Sequence, residues 1–210
     1  MSDYDRNYYE AGPQTGKSLY QNYRWIPELT IPLAHHFVQY MGIKYNEPIL
    51  DFGCAKGYLV HALRLLDYKA FGVDISDYAI SQAPREVAPY VKLVRPFPEI
   101  GVFDHIICKD VLEHVDYTDI DLLLQILADR CYNTLAAIVP LGDGQKYFID
   151  AYELDKTHKI RQDVPWWEQT FQKAGFASVT VTTDLGPFKA NWSTQHPKGN
   201  ALIIAKNDEV

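Results

Sequence analysis

The stretch Ile49-Leu50-Asp51-Phe52-Gly53-Cys54-Ala55-Lys56-Gly57 decides the fold, together with the Gly72-Val73-Asp74 that follows it. Residues 47–52 predict a short buried strand, and residues 58–66 carry apolar side chains at helical spacing. Residues 70–73 predict a second strand, which Asp74 closes. In open α/β sheets, ligands bind beyond the carboxyl ends of the strands, where the first strand-to-helix turn presents backbone N–H groups. Residues 53–57 are therefore the predicted ligand-binding turn.

The alternation of strands and helices continues along the chain. Further strands are predicted at residues 90–94, 102–108 and 135–139, and helices at residues 77–82, with Ser76 as N-cap, and 119–131. A helix at residues 164–174 is followed by two consecutive strands at residues 177–183 and 200–206. The sequence therefore predicts an α/β fold: a doubly wound, mostly parallel seven-stranded sheet with helices on both faces and an antiparallel last strand.

The first 44 residues differ from the rest because aromatic side chains crowd their first half. Disordered tails are poor in aromatic residues, so we expect this segment to pack against the rest of the chain. Residues 26–41 have helical apolar spacing and end at Gly42, a typical helix stop. We interpret residues 1–44 as a helical lid and residues 45–210 as the ligand-binding domain.

Asp51 and Asp74 bear on which ligand the turn accepts. Asp74 ends the second strand, from where a carboxylate can accept the hydroxyl protons of an adenosine ribose. A dinucleotide site needs G-x-G-x-x-G so that a pyrophosphate can lie on the helix N-terminus, whereas this chain has D-x-G-x-A-x-G. The carboxylate of Asp51 would repel a pyrophosphate but attract the ammonium group of a methionine moiety. The turn therefore favours an adenosine that carries methionine over a dinucleotide.

In these residues the chain resembles the class I S-adenosylmethionine-dependent methyltransferases. The resemblance covers about residues 45–206, and residues 199–205 resemble the reversed last strand of that family. It implies S-adenosylmethionine as cofactor and S-adenosylhomocysteine as product. The segments that carry it occur in the family's order: residues 49–57, Val73-Asp74-Ile75-Ser76, Phe103-Asp104-His105-Ile106-Ile107 and Val111-Leu112-Glu113-His114-Val115.

The resemblance also implies which residues bind the cofactor. Asp51 and Gly53 would hold the methionine amino end, and Gly57 would allow close approach of the helix to the cofactor. Asp74 would bind the ribose hydroxyls, and Ile75 would pack on the adenine. Residues 109–111, just past the fourth strand, would line the methionine side near the methyl group. The predicted cofactor-binding residues, one of them in the lid, are Asp51, Gly53, Cys54, Ala55, Gly57, Asp74, Ile75, Lys109, Asp110, Val111 and Tyr23.

Ala55 is a departure from the family, in which most members have glycine at this position. Alanine is small enough that we expect cofactor binding to survive. Because a Cβ atom disfavours positive φ, we also expect the backbone φ of Ala55 to be negative.

His114 and His158 are the predicted catalytic residues. A general base assists methyl transfer only when the acceptor carries a proton to remove, and histidine suits that task at neutral pH. His114 follows the fourth strand, and His158 follows the fifth, where this fold often places a substrate lid. Asp155, three residues before His158, could orient its imidazole. The alternatives are a helix-start or packing role for His114 and a surface hydrogen bond for His158.

Four residues are predicted to bind the acceptor: Tyr20, Arg24, Lys159 and Arg161. Tyr20 and Arg24 belong to the lid and could instead serve core packing. Lys159 and Arg161 form a basic cluster in an acidic chain, which suggests either an anionic acceptor or a solvated lid surface.

Composition excludes several classes of function. The net charge of −7 opposes a nucleic-acid partner, whose phosphates need Lys and Arg. We expect no membrane association and a cytoplasmic location, because no apolar segment resembles a signal peptide or a membrane span. Three widely spaced cysteines predict buried free thiols rather than a disulfide framework or a zinc site. Asp143, Asp150 and Asp155 lack the spacing of metal ligands, so no metal site is predicted.

The sequence therefore predicts a methyltransferase that acts on oxygen or nitrogen of a small molecule, such as a sugar or a carboxylic acid, as a monomer or homodimer. Two alternatives stay open: a protein methyltransferase, and a non-catalytic module that binds the cofactor. DNA methyltransferases that methylate amino groups carry a characteristic motif directly after the fourth strand. This chain lacks that motif, because Lys109-Asp110-Val111-Leu112 occupies the position.

Overall fold

The computed structural model describes residues 3–95, 100–189 and 194–207 of the 210-residue chain. Its internal contacts separate two compact units. The first unit comprises Met1–Glu99 and Leu154–Thr157, and the second comprises Ile100–Glu153 and His158–Val210. The boundary between these units does not coincide with the predicted boundary at residue 44. The role of residues 1–44 as a lid remains a prediction. Among the described residues, no helix has the length and apolar character needed to cross a membrane.

The first unit begins with helices and continues with alternating strands and helices. Its strands are parallel, Ile49 pairing with Ala70 and Gly72 with Val91. Ser76 caps the helix after the second strand by accepting the amide proton of Ala79, as predicted. The elements are α1 (Arg6–Glu10), α2 (Gly12–Thr15), α3 (Pro27–Met41), β1 (Ile49–Phe52), α4 (Tyr58–Leu65), β2 (Ala70–Asp74), α5 (Asp77–Ser81) and β3 (Val91–Leu93).

The second unit contains the reversed strand that the sequence predicts. Its elements are β4 (Phe103–Lys109), α6 (Ile120–Arg130), β5 (Cys131–Pro140), α7 (Val164–Lys173), β6 (Ser178–Thr182) and β7 (Asn200–Lys206). β4 and β5 are parallel, whereas β7 runs antiparallel to both β5 and β6. The strand order is β3-β2-β1-β4-β5-β7-β6, so the predicted α/β fold with a mixed seven-stranded sheet is confirmed.

The predicted boundary between α6 and β5 was wrong. The apolar spacing suggested a helix through Cys131 and a strand from residue 135, but α6 ends at Arg130 and β5 begins at Cys131. Cys131 has extended backbone angles and pairs with Phe103 at the start of β4. Cross-strand pairing therefore overrides the local helical pattern at this junction. Cys54, Cys108 and Cys131 are buried free thiols, as predicted.

Candidate active site

Every second residue of the loop 53–57 has a left-handed backbone conformation. The backbone φ angles are 80° at Gly53, 48° at Ala55 and 75° at Gly57. The amides of Gly53 and Cys54 both donate to the carbonyl of Val73, at 2.8 and 3.0 Å, which ties the loop to β2. The amide of Gly57 donates to the carbonyl of Cys54 at 2.8 Å, which closes the turn within the loop.

The predicted negative φ of Ala55 was wrong. The amide of Ala55 donates to Oδ2 of Asp74 at 2.7 Å, and the left-handed conformation aims it there. Left-handed alanine costs about 1–2 kcal/mol relative to the right-handed conformation. A hydrogen bond to a carboxylate contributes about 1.5–3 kcal/mol, which offsets that cost.

Gly57 is required by both its conformation and its surroundings. It is the N-cap of α4 at positive φ, and a Cβ atom built on it would lie 2.9 Å from Cγ1 of Val91. The family resemblance assigns Gly57 to close approach of the helix to the cofactor. The structure adds a second reason, since no side chain fits between the loop and β3 without displacing Val91.

Asp74 lies at the end of β2 and is 8% exposed. Its Oδ1 accepts the amide of Ser76 at 2.7 Å, while Oδ2 accepts that of Ala55. Burial raises the pKa of Asp74 above its ordinary value, and the backbone hydrogen bonds oppose this rise. Each carboxylate oxygen keeps a second lone pair for a further donor. The neighbouring Ile75 is 42% exposed and offers an apolar surface beside these lone pairs.

The N-terminal segment packs on this loop. Nζ of Lys56 donates to Oε1 of Glu10 at 2.5 Å and to the carbonyl of Tyr23 at 2.7 Å. Oγ of Ser76 donates to the carbonyl of Tyr4 at 2.6 Å. The predicted packing of the aromatic N-terminus is thus confirmed, whereas the anchoring role of Lys56 was not predicted from the sequence.

The structure places the other predicted residues of this unit around the same loop. Asp51 is buried, and the pKa of the half-buried Tyr23 is raised first by burial and next by the charge of Asp51. Tyr20 packs among Tyr8, Tyr9 and Tyr23 rather than projecting alone. Arg24 lines an open cleft of about 500 Å³ that Tyr23 and Lys56 also line.

A second group of polar residues lies at one edge of the second unit. β4 and β5 are parallel and end at the same edge, and Asn200 begins β7 opposite Pro140, the last residue of β5. Asp110 follows β4 at this edge, with its φ at 55°. The predicted residues Lys109, Asp110 and Val111 therefore occupy the ligand-binding edge of this unit.

Asp110 lies between two lysines. Nζ of Lys109 contacts Oδ2, and Nζ of Lys189 donates to Oδ1 at 2.6 Å. Desolvation would raise the pKa of Asp110, but the two ammonium groups lower it well below its ordinary value. Lys189 also donates to Oδ1 of Asn200 at 3.0 Å, and the side chain of Lys189 is 11% exposed. Lys189 was not predicted, because a lysine in a long loop carries no local signal of burial.

The two predicted catalytic histidines lie together. The ring centroids of His114 and His158 are 4.6 Å apart in an edge-to-face arrangement. Tyr147 and Tyr152 pack against His158, with centroid distances of 5.3 and 6.0 Å. Glu113 is buried beside them, and burial, reinforced by the charge of Asp110, raises the pKa of Glu113 well above its ordinary value.

Comparison with known proteins decides what this arrangement is. The family described as "Methyltransferase domain" matches residues 24–181. The chain belongs to this family. A search of curated proteins finds no match.

Solved structures of methyltransferases share the fold. A methyltransferase of Archaeoglobus fulgidus, described as SAM-dependent, has a TM-score of 0.67 at 18% identity, covering 87% of this chain and 95% of that one. Magnesium protoporphyrin IX methyltransferase of Synechocystis with bound SAH has a TM-score of 0.60 at 16% identity, with coverages of 85% and 82%. Phosphoethanolamine N-methyltransferase 2 of Haemonchus contortus with S-adenosylmethionine has a TM-score of 0.62 at 14% identity, with coverages of 84% and 52%.

The chain is thus an S-adenosylmethionine-dependent methyltransferase, as the motif resemblance implied. The first unit fits that cofactor. The loop turns at positions without large side chains, and a buried carboxylate with spare acceptor capacity stands next to an exposed apolar side chain. These are the features that a ribose and an adenine require.

Lys159 and Arg161, the predicted acceptor-binding cations, both have acidic partners within the second unit. Nζ of Lys159 lies 2.7 Å from Oδ2 of Asp116 in an exposed pair. Nε of Arg161 donates to both carboxylate oxygens of Glu153, and its guanidinium lies 5.1 Å from the ring centroid of Tyr147. These contacts describe a loop-ordering role, so an acceptor contact by either residue remains a prediction.

Proposed function

We propose that this methyltransferase acts on oxygen or nitrogen of a small acceptor such as a sugar or a carboxylic acid. The observation that carries the proposal is the edge-to-face contact between the imidazoles of His114 and His158, with Tyr147 and Tyr152 packed against His158. Hydroxyl and ammonium acceptors must lose a proton during methylation, and imidazole is the side chain suited to receive it near neutral pH.

The first unit supplies the cofactor half of the reaction. S-adenosylmethionine supplies the methyl group: a bond forms between the acceptor atom and the methyl carbon, the carbon–sulfur bond breaks, and S-adenosylhomocysteine is released. In our proposal Asp74 accepts the ribose hydroxyls, Ile75 packs on the adenine, and Asp51 attracts the methionine ammonium. Gly53, Cys54, Ala55 and Gly57 present the loop backbone, and Tyr23 closes over it.

The second unit supplies the acceptor half. His158 or His114 receives the proton that the acceptor atom gives up. Tyr147 and Tyr152 shield the imidazole of His158 from water and fix its plane. Lys109, Asp110 and Val111 lie at the carboxyl end of β4 in this unit, and the two lysines that flank Asp110 compensate its negative charge.

Methyl transfer to a panel of sugars, carboxylic acids and amines, followed by S-adenosylhomocysteine release, tests this proposal. For an accepted substrate, His158→Gln should lower kcat by about 100-fold, the usual contribution of a general base, while the KM for S-adenosylmethionine stays unchanged. His35→Gln, at an exposed position on α3, is the matched control and should leave kcat unchanged.

Two results would redirect the assignment. Turnover only with protein acceptors would establish a protein methyltransferase instead. Tight cofactor binding with no turnover on any acceptor would establish a non-catalytic binding module.

A further inference from the structure

Glu113, His114 and His158 form a cluster with the composition of a metal site. Each offers one ligand atom, a carboxylate oxygen or an imidazole nitrogen, and these atoms all lie within 4.8 Å of one another. Glu113 and His114 belong to the 3₁₀ turn after β4, whereas His158 comes from the loop that follows β5. Glu113 and His114 are neighbours in the sequence, and the fold brings His158 to them.

Glu113 independently suggests that something is bound there. Glu113 is only 1% exposed, and its Oε2 atom has no hydrogen-bond partner among the described residues. A buried carboxylate oxygen without a donor is costly, and coordination to a cation is one of the ways in which proteins satisfy it.

The backbone holds the three residues in place. The amides of Lys159 and Ile160 both donate to the carbonyl of Glu113, at 2.8 and 3.0 Å. The loop that carries His158 is therefore fastened to the turn that carries Glu113 and His114. The amide of His114 donates to Val111 at 3.1 Å, which closes that turn. Ligands held in this way are oriented before a metal arrives, which lowers the entropic cost of binding.

We propose that Glu113, His114 and His158 bind a divalent transition-metal ion, for which Zn²⁺ is the best fit. Two imidazoles and one carboxylate are a known three-ligand set for catalytic zinc, with a fourth position left for a substrate or water. Mg²⁺ and Ca²⁺ prefer oxygen ligands, so two imidazoles disfavour them. Zinc bonds of about 2.0–2.2 Å require the ligand atoms to approach one another further, by rotation of the side chains.

The role of this ion rests on the proposed function. An acceptor hydroxyl at the open position would be polarised by the cation, so its proton would pass more readily to solvent water as the oxygen takes the methyl group. In the metal-bound protein the two histidines would serve as ligands, and the general-base role proposed above would apply to the metal-free protein. Metal binding itself depends on neither the cofactor nor the acceptor, so it can be tested alone.

The test is titration of chelator-treated full-length protein with Co²⁺, followed by visible absorption, and with Zn²⁺, followed by calorimetry. We expect one ion per chain in the wild type and in the His35→Gln control. Glu113→Gln and His158→Ala should each weaken binding by at least about 100-fold, because even outer-shell changes reach that range. His158→Cys should retain binding and add a thiolate-to-cobalt absorption band in the near ultraviolet.

The outcomes separate this inference from the proposed function. Absence of a saturable site in the wild type would overturn the inference, as would full binding by folded Glu113→Gln and His158→Ala. If these two variants do not fold, His158→Cys decides, since binding without the thiolate band would also overturn it. If the wild type transfers methyl groups but has no metal site, only this inference fails. If it binds the metal but transfers no methyl group to any acceptor, only the proposed function fails.

Discussion

Asp74 ends one parallel strand of this methyltransferase and Asp110 follows another, but the protein holds their carboxylates in different ways. Asp74 is held by the backbone amides of Ala55 and Ser76. Asp110 is held by the ammonium groups of Lys109 and Lys189. Burial therefore raises the pKa of Asp74, whereas the lysine charges lower the pKa of Asp110.

The difference distinguishes the two units in the chemistry that each carboxylate can offer. A carboxylate held by neutral amides keeps its charge and its spare lone pairs available to hydroxyl donors, which suits a ribose. A carboxylate between two ammonium groups is already compensated, so it serves the local structure and contributes little attraction to an approaching cation. The proposed cofactor acid is Asp74, while Asp110 shapes the edge next to the histidines.

Removing the ammonium group of Lys189 should have the largest effect on stability, because it tests whether Asp110 is held by lysine charges. Lys189→Met leaves Asp110 with Lys109 alone and should lower the free energy of unfolding by about 3 kcal/mol, the lower end for a broken buried ion pair. Urea unfolding followed by fluorescence measures it. Lys198→Met, at an exposed position near the start of β7, is the control and should change stability by less than about 0.5 kcal/mol. A loss below about 1 kcal/mol for Lys189→Met would show that the pair is not structural.

The next effect tests the loop that faces Asp74. Gly57→Ala should lower the free energy of unfolding by about 2 kcal/mol, because the new Cβ takes a left-handed conformation and meets Val91. Gly101→Ala is the matched control, since a Cβ there meets nothing within 4 Å. Thermal and urea unfolding of both variants should differ clearly; equal stabilities would contradict the packing argument.

Ala55→Gly should have the smallest effect on stability, and the prediction concerns its sign. Ala55→Gly relieves about 1–2 kcal/mol of left-handed strain and adds about 0.5–1 kcal/mol of chain entropy, so stability should rise by roughly 0.5 kcal/mol. Ala177→Gly, at an exposed residue outside the left-handed region, should instead lower stability. A loss of stability in Ala55→Gly comparable to that in Ala177→Gly would mean that the loop is not strained at Ala55.

Most of the fold could be predicted from the sequence because its signals are local. The strand ending at Phe52, the cap at Ser76 and the stop at Gly42 each depend on neighbouring residues, and all three are confirmed. The two errors arose where distant contacts dominate. Cys131 joins β5 through pairing with Phe103, and Ala55 takes positive φ to reach Asp74.

The polar residues of the second unit were harder to predict from the sequence. His114 and His158 could be singled out one at a time, but their proximity depends on the loop hydrogen-bonded to Glu113. Lys189 belongs to no recognised motif, and the family-like segment that contains Glu113 gave no sign of its burial, since burial of a charged side chain is a property of the folded chain. Side chains that meet only through tertiary structure cannot be paired from one sequence.

Calorimetric titration with S-adenosylmethionine tests the central claim about Asp74 most directly. Wild-type protein should bind S-adenosylmethionine with micromolar affinity and should not bind NADH. Asp74→Asn should weaken cofactor binding by about 100-fold, the loss expected for two hydrogen bonds to a charged acceptor, while Asp129→Asn on the exposed end of α6 binds normally. Undiminished binding by a folded Asp74→Asn variant, or binding of NADH in place of S-adenosylmethionine, would contradict the account.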